Sequence, residues 1–414
     1  MRTVWTGISV CLALLAAQNA EARVWHVDLD GTADFTSIQA AIDAASPNDT
    51  VLVAAGTYEE AVNYGGKDLV VMSSNGPEFT IIDASSLGGT GVYLGDNLTR
   101  ASVFRGFKVM GGNRGIGVFH SEPIVSDNIV LMNGGFGLGT GIGGGGSGAG
   151  PWSPLIENNQ VMNNSANNSG PGIYFFQRVN PVIVNNYIFD NSAGHGDGGG
   201  IYLVTAYDGA IIRGNVIHSN VVGDHGGGIH VANGGLPINL EIAYNLIWNN
   251  SAGGQGATGG SGGGIWARQT NAWIHHNTIV ENTGLGPSSD YGGGITVQHA
   301  GTPVIEQNII AFTQAGAGIR CVNGSTPVIR NNLIWENTGG HAAGDCTGWP
   351  GTDGNTVADP AFCDPENGDF TVAEESPGMV HTAGPLGAFP VPGCEMTPVR
   401  SITWGLLKSQ FPSR

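Results

Sequence analysis

The chain has 414 residues, of which 41% are hydrophobic and only 12% charged, with a formal net charge of −18 at pH 7. An acidic balance of that size disfavours a nucleic-acid partner, because phosphates would be repelled. Glycine is abundant, at 70 residues, yet Ile, Val and Leu recur in register, which excludes a disordered low-complexity chain.

The N-terminus has the form of a secretory signal. Arg2 supplies the positive start, Ile8 to Ala17 the apolar stretch, and Ala20-Glu21-Ala22 the small-x-small cleavage pattern. Residues 1–22 are therefore expected to be removed, leaving a mature chain that starts at Arg23. The apolar stretch is too short to span a bilayer, and no other segment is long enough. A secreted or cell-surface protein without a membrane span is expected, and as a monomer.

Residues 23–110 read as an N-terminal cap and first coils. Thr36-Ser37-Ile38-Gln39 has the pattern of a capping box, with Thr36 capping and Gln39 reaching back. Ile38, Ala41, Ile42 and Ala45 then form one apolar helical face, ended by Pro47-Asn48-Asp49. Val51-Leu52-Val53 comes next as a strand and Gly56-Thr57-Tyr58 as a turn. The helix is expected to plug the open end of the coils, where a bare core would meet water.

From Gly115 to Asn332 one pattern recurs eight times: a glycine run, an Ile, a short apolar stretch, then an Asn-centred segment. The clearest glycine runs are G-G-G-I-Y-L (198–203), G-G-G-I-H-V (226–231), G-G-G-I-W-A (262–267) and G-G-G-I-T-V (292–297). The Ile column is Ile116, Ile142, Ile173, Ile201, Ile229, Ile265, Ile295 and Ile319. The Asn column is Asn128, Asn159, Asn186, Asn215, Asn245, Asn277, Asn308 and Asn332. The two interleave throughout. Within a unit every second residue falls on one face, as in Ile183, Asn185, Tyr187, which is the period of a strand. Strands this short, broken by Gly and Asn, suit about three per coil, with successive coils pairing in parallel at a rise of about 4.8 Å. The architecture is an all-β solenoid, a parallel β-helix, over residues 111–340.

Both columns have scaffold roles. Asn tolerates the left-handed backbone of a sharp corner, and stacked amides can hydrogen-bond as a ladder. The glycines let the backbone turn and approach closely. No Gly-Lys-Ser/Thr follows a run, so phosphate-loop chemistry is not supported.

Residues 341–394 form a looser C-terminal cap, and residues 395–414 a tail containing T-W-G-L-L-K (403–408). That tail is a frayed terminus or a short sorting or docking segment. Once Cys11 leaves with the signal, Cys321, Cys346, Cys363 and Cys394 remain, an even number that suggests two disulfides in an exported protein. Cys321 and Cys346 lie 25 residues apart, close to one coil, so stacking brings them together; Cys363 and Cys394 pair by elimination. A zinc site is the weaker alternative, because no Cys-x-x-Cys occurs.

The segment D-F-T-S-I-Q-A-A-I-D-A-A-S-P-N-D-T-V-L-V-A-A-G-T-Y (34–58) resembles the opening of pectin-lyase-like right-handed β-helix proteins. The G-G-G-I and N-N-x-I units resemble the repeats of the same superfamily. The resemblance covers about residues 25–340 and implies a right-handed coil, as does the general preference of parallel crossovers. It implies little about activity, since the superfamily holds polysaccharide lyases, polygalacturonases, pectin esterases, epimerases, tailspikes and non-enzymatic surface proteins. The pectate-lyase segments W-I-D-H and R-x-P-x-x-R are absent. So are Y-G-x-D-P-H of the alginate epimerases and the Q-D-T-L and D-F-I-F-G of pectin esterases. Of the polygalacturonase set only Gly194-His195-Gly196 matches.

Function is therefore sought where the repeats differ. Residues directly after each column Ile point away from the core. They are Tyr174, Tyr202, His230, Trp266, Thr296 and Arg320, an aromatic ladder suited to the apolar faces of sugar rings. Arg268 and Gln298 come next on the same face, with Arg178 and His299 close by, and an Arg there can pair with a uronate carboxylate. High β-propensity alone would also place Tyr and Trp on such a sheet. The loops before the glycine runs carry His195, Asp197, Asp224, His225, Asp290 and Tyr291. Stacking should gather these on one rim. A carboxylate–His pair there would serve acid–base catalysis, and Asp197 with Asp224 are candidate Ca²⁺ ligands. Asp residues also cap Gly-rich turns without further function. Two functions are implied: an enzyme, a lyase or glycoside hydrolase, acting on acidic polysaccharide, or a non-catalytic surface protein that binds glycans or serves as a stiff rod.

Overall fold

The eight column isoleucines stack in one continuous line, each paired in parallel with the next and each fully buried. Burial of one such side chain is worth about 2 kcal/mol, and the line runs through the middle of a much larger core. The computed structural model describes residues 21–394, apart from 136–138, 149, 206, 236, 254–258, 287–290 and 347–350. The signal segment up to residue 20, Asp290 and the 395–414 tail lie outside the described residues.

Three long parallel sheets wrap one core. The first has 12 strands, from Val24–Val27 to Val328–Arg330. The second has 11, from Val62–Asn63 to Ala342–Gly344, and carries the Ile column. The third has 12, from Gly56–Tyr58 to Thr356–Val357. A fourth sheet of 6 two-residue strands, Gly134–Gly135 to Thr283–Gly284, lines one corner. The solenoid thus extends beyond the clean repeat at both ends, and Gly56-Thr57-Tyr58 is a strand rather than a turn.

The N-terminal helix spans Ile38–Ala44, with Ile38, Ala41 and Ile42 buried in the core. Its cap differs from the expected one. Ser37, not Thr36, is the N-cap and accepts from the Ala40 amide. Glu60 accepts the amides of Ile38 and Gln39, while the Gln39 side chain bonds Asp43 and Asn63. A carboxylate from beyond the next strands satisfies the open amides better than a neutral amide can, since it bears full charge.

The Asn column is a buried amide ladder. Asn215 shows the pattern: its Nδ2 donates to Ile183 O at 2.9 Å and to Asn245 Oδ1 at 3.0 Å, while its Oδ1 accepts the Asn186 amide N–H at 2.9 Å. A second ladder of the same kind runs five residues on, from Asn133 through Asn164, Asn191, Asn220 and Asn250 to Asn282. The expected left-handed residue is not the ladder Asn. It is the residue before it: Asp127, Asn158, Asn185, Tyr244, His276, Gln307 and Asn331 have φ of 51–56°. The corner thus turns one residue early and aims the ladder amide inward.

The glycine runs have a steric reason. A β-carbon at Gly228 would sit 2.6 Å from Gly264 O, and Gly226 holds a φ of +69°. Successive coils touch backbone to backbone there.

Both disulfides pair as expected, Cys321–Cys346 and Cys363–Cys394. Cys321 is fully buried in the core at the C-terminal end. The segment expected as a C-terminal cap does two things. Ala342–Gly344 and Thr356–Val357 complete the last coil. The remainder runs back over the third sheet, where Phe370, Ala388 and Phe389 cover Val216, Leu246 and Val280. Leu386 and Val372 cover Ile309 and Leu333. The reason is that this stretch of the third sheet is apolar on its outer face too and needs cover.

Replacing Asn215 by Ala leaves the Asn186 amide and Ile183 carbonyl buried and unpaired. The expected cost is about 3 kcal/mol, read from the denaturation midpoint. Replacing the exposed, left-handed Asn249 by Ala should cost about 1 kcal/mol. Equal losses would contradict a ladder that holds the coils in register.

Candidate functional site

The residues after the column Ile pair rung by rung in the expected order, Tyr174, Tyr202, His230, Trp266, Thr296 and Arg320. Their rings stack at centroid separations of 5.2 Å for Tyr174–Tyr202, 4.7 Å for Tyr202–His230 and 4.4 Å for His230–Trp266. None of the six belongs to the central core cluster. Yet the ladder is not an open face: Tyr174 is 2% exposed, His230 3% and Trp266 4%.

What covers it is a second column, four residues before each Ile: Ser169, Asp197, His225, Ser261 and Tyr291. These lean on the ladder residue of the next coil. Asp197 Oδ1 lies 3.6 Å from His230 Nδ1. The His225 ring packs 4.7 Å from Trp266. The Ser261 and Thr296 hydroxyls hydrogen-bond at 2.8 Å, and the Arg320 guanidinium lies 5.3 Å from the Tyr291 ring. This offset comes from the left-handed glycines Gly198, Gly226 and Gly262, which fold the chain over the sheet just before the strand begins.

A groove of about 500 Å³ opens beside this seam. Its floor is Tyr202, His230 and Trp266, with Val204, Ala232, Arg268 and Gln298 stacked alongside. Ala232 is small between Val204 and Arg268, and this makes the hollow. Asp197, Asp224 and His225 form one wall; Asn233, Gly234 and His299 the other. Asp197, Asp224, His225, His230, Tyr202, Trp266 and Arg268 are therefore brought together. His195 is exposed and lies outside the groove, Tyr174 is sealed beneath the seam, and Arg178 points away to donate to Gly148 O at 2.8 Å. Ala232, Val204 and the Asn233-Gly234 loop do not emerge from the repeat pattern. The signal that would find them is the size of the residue three after each Ile, which here drops to Ala between Val204 and Arg268.

Asp197 is the electrostatic centre. Its Oδ1 accepts the His225 amide N–H at 2.8 Å and lies 3.2 Å from His225 Nδ1. Burial acts to raise its pKa, but His230 and the hydrogen bonds and charge of His225 outweigh this and hold the carboxyl below its ordinary value. An ionised carboxylate only accepts, so His225 Nδ1 must carry the proton and Nε2 is the basic nitrogen of the neutral ring. His230 is pushed down to about 4, chiefly by burial and against the pull of Asp197, and its Nδ1 has no hydrogen-bond partner. Asp224 Oδ2 accepts the Gly196 amide at 3.1 Å, so it also fixes the turn. Among the described residues, no group of three or more His, Cys, Asp or Glu is placed to hold a metal ion.

The sequence profile for the right handed beta helix region matches residues 138–263 and 257–363, together more than half of the chain. The chain belongs to the right-handed β-helix family. Among solved structures, this β-helix protein is similar to a complex of XylC with xylose (11% identity, covering 82% of this chain and 87% of that one, TM-score 0.49). It is also similar to the pectate lyase Pel9A (15% identity, 89% and 96% covered, TM-score 0.49). A third is a pectin methylesterase from carrot (13% identity, 84% and 91% covered, TM-score 0.32). Among curated proteins no match is found. No helix among the described residues of the β-helix protein is long and apolar enough to cross a membrane.

His218, His230 and His276 all have pKa values lowered to about 4, burial being the first cause in each. The unfolded chain takes up these protons near pH 6.5, the folded chain only near 4. Stability is therefore complete above 6.5 and falls as pH drops from 6.5 to about 4; for His230 the gap is worth about 3 kcal/mol. Asp197 adds a further loss below its unfolded value near 3.8. Melting temperatures between pH 7 and 4.5 should decline, and His230→Gln should flatten the decline. A flat profile in the unaltered protein would contradict neutral burial of these rings.

Proposed function

We propose that the groove binds an acidic polysaccharide and that His225, oriented by Asp197, acts as the base that cleaves it by β-elimination. The observation that carries this reading is the Asp197–His225 pair at 3.2 Å on the wall of a groove that also presents Arg268. β-Elimination needs a base at the carbon next to the uronate carboxylate, and a cation to neutralise that carboxylate as charge builds up. His225 Nε2 suits the first role and Arg268, exposed at the groove edge, the second. Tyr202, only partly buried, meets the apolar side of the sugar ring, with Trp266 packed beneath His225 in the floor. The proton that His225 takes is passed on to the departing glycosidic oxygen, and Asp224 on the same wall would, with Asp197, hold a Ca²⁺ ion that supplies positive charge beside the substrate carboxylate. Two disulfides, together with the signal expected at the N-terminus, suit a protein that works on polymer outside the cell, at the surface or secreted.

A second reading is supported by the dual engagement of the carboxylates. Asp197 and Asp224 each accept a backbone amide of a Gly-rich turn, as they would in a groove that binds glycan without cleaving it.

The mature protein incubated with pectate, alginate and glucuronoxylan, with Ca²⁺ and then with chelator, should yield unsaturated product on one of them, followed by absorbance. His225→Asn should lower turnover by at least about 100-fold with binding retained, and Arg268→Gln should weaken binding about tenfold. No turnover on any polymer, with binding that Arg268→Gln weakens, would leave the binding function alone. Neither turnover nor binding would sink both.

A further inference from the structure

The outer face of the first sheet carries a polar and aromatic cluster that the groove does not use. Along one outward column the residues are Leu155, Val182 and Ile211, then Glu241 and Trp273, then Val304 and Val328. The adjacent outward column brings Arg213, His275, Glu306 and Arg330 to the same few rungs. From Leu155 to Val328 the aliphatic run of that first column is broken at Glu241 and Trp273, by charge and aromatic surface.

Trp273 is the centre of that interruption. It is 46% exposed, an unusual state for the largest side chain. Nevertheless it is fixed. Its Nε1–H donates to Glu306 Oε1 at 2.7 Å, and one face stacks on the His275 ring at a centroid separation of 3.8 Å and an interplanar angle of 27°. Both supports are themselves held. Glu306 Oε2 accepts from Arg330 Nε at 2.6 Å. His275 Nε2 lies 3.2 Å from Glu241 Oε1, which in turn pairs with Arg213 at 3.5 Å. His275 is almost fully buried and Glu306 nearly so, whereas Arg213 and Arg330 are each about half exposed.

This frame does not bury the indole. It orients it, with one face on an imidazole and its N–H paired, at 46% exposure, on a rung that lies between those of Arg213 and Arg330. A plain high-propensity sheet residue needs no such support, as Val182 and Ile211 show on the same column. We propose that Trp273 is the platform of a second saccharide-binding site. A sugar ring stacks on the free indole face, and its carboxylate or hydroxyls meet Arg213 and Arg330. The ordering cost of the aromatic platform is already met in the free protein, which favours binding of a stiff, weakly hydrophobic ligand. Arg213 and Arg330 are each already paired with a carboxylate, so they serve a sugar as half-exposed hydrogen-bond donors to its hydroxyls and carboxylate rather than as a net positive patch. This inference rests on the assignment of the groove to an acidic glycan; the second site would hold the same polymer on a different face.

The test is calorimetric titration of the full mature chain with long pectate, alginate and glucuronoxylan, in four forms: unaltered, Trp273→Ala, Trp273→Phe and Arg268→Gln. The expected result is a loss of about tenfold in affinity for one polymer with Trp273→Ala, with most of it regained in Trp273→Phe, which restores an aromatic face. Turnover of short oligosaccharides in the groove should be unchanged by either. Affinity unchanged in Trp273→Ala, or no binding of any polymer by the unaltered chain, overturns the proposal. Equal weakening by Ala and Phe also overturns it, because the loss would then come from the frame and not the ring face. An affinity that depends on Trp273 but not on Arg268, without turnover, supports the second site and sinks the groove assignment instead.

Discussion

Everything in this molecule depends on register between coils. Parallel strands of two to seven residues make few hydrogen bonds each, and a slip by one residue would turn every core side chain outward. Two buried amide ladders prevent the slip. In each rung a side-chain amide accepts the backbone N–H of the coil before it and donates to the amide of the coil after it, as Asn215 does between Asn186 and Asn245. A shifted coil would leave these groups unpaired in a dry interior, at a cost of several kcal/mol per rung. Because both ladders are locked, outward columns align as strictly as the inward ones. That is how Arg320 and Ser261, 59 residues apart in the chain, come to lie at the same seam.

The same economy of space builds the candidate site. Glycine is required where coils touch backbone to backbone, as at Gly228 against Gly264. The first glycine of the runs at Gly198, Gly226 and Gly262 is left-handed and folds the preceding residue over the sheet. Each of these coils therefore places one side chain on top of its neighbour's ladder residue. Where those pairs are Ser261 and Thr296 the seam is inert. Where they are Asp197 with His230, and His225 with Trp266, it becomes a charged wall over an aromatic floor. Scaffold and chemistry are one structure, differing only in which residues fill the seam.

Counting residues per coil therefore reveals some features and hides others. The Ile column, the first Asn column, the order of the outward ladder and the Cys321–Cys346 pair are legible in the sequence, because each depends on that count alone, and Cys363–Cys394 then follows by elimination. The second Asn ladder is equally countable, at five residues beyond the first, but its members are flanked by variable residues such as Met132, Asp190 and Glu281. The burial of Tyr174 and Trp266 is not legible. Alternation says that they leave the core, not that a loop from the adjacent coil covers them. The Ser37–Glu60 cap is hidden for a similar reason, since Glu60 reaches the helix only after the chain has turned through the next strands. The return of Phe370, Leu386 and Phe389 over the third sheet leaves one trace in the sequence: Val216, Leu246 and Val280 are apolar on a face that ought to be wet.

The three sheets have thus met the same problem in different ways. A solenoid has three outer faces, and each must be made polar, covered or used. The third is covered by the chain's own C-terminal segment, whose Ala388 amide bonds Thr278 Oγ1 at 2.9 Å and whose Gly387 amide bonds Gln307 O at 2.9 Å. The second is partly covered by its own glycine loops, and the cover stops at Ala232, where the groove begins. The first keeps aliphatic residues at most rungs and at one place holds an indole upright on a charged frame. Binding to a rigid rod needs no rearrangement of the backbone, so its specificity must come from where such departures fall along the axis. Rungs recur about 4.8 Å apart, so the side chains of neighbouring rungs fall in line along the axis. A departure repeated on two or three consecutive coils therefore presents one continuous surface along the axis, which a single changed rung cannot do.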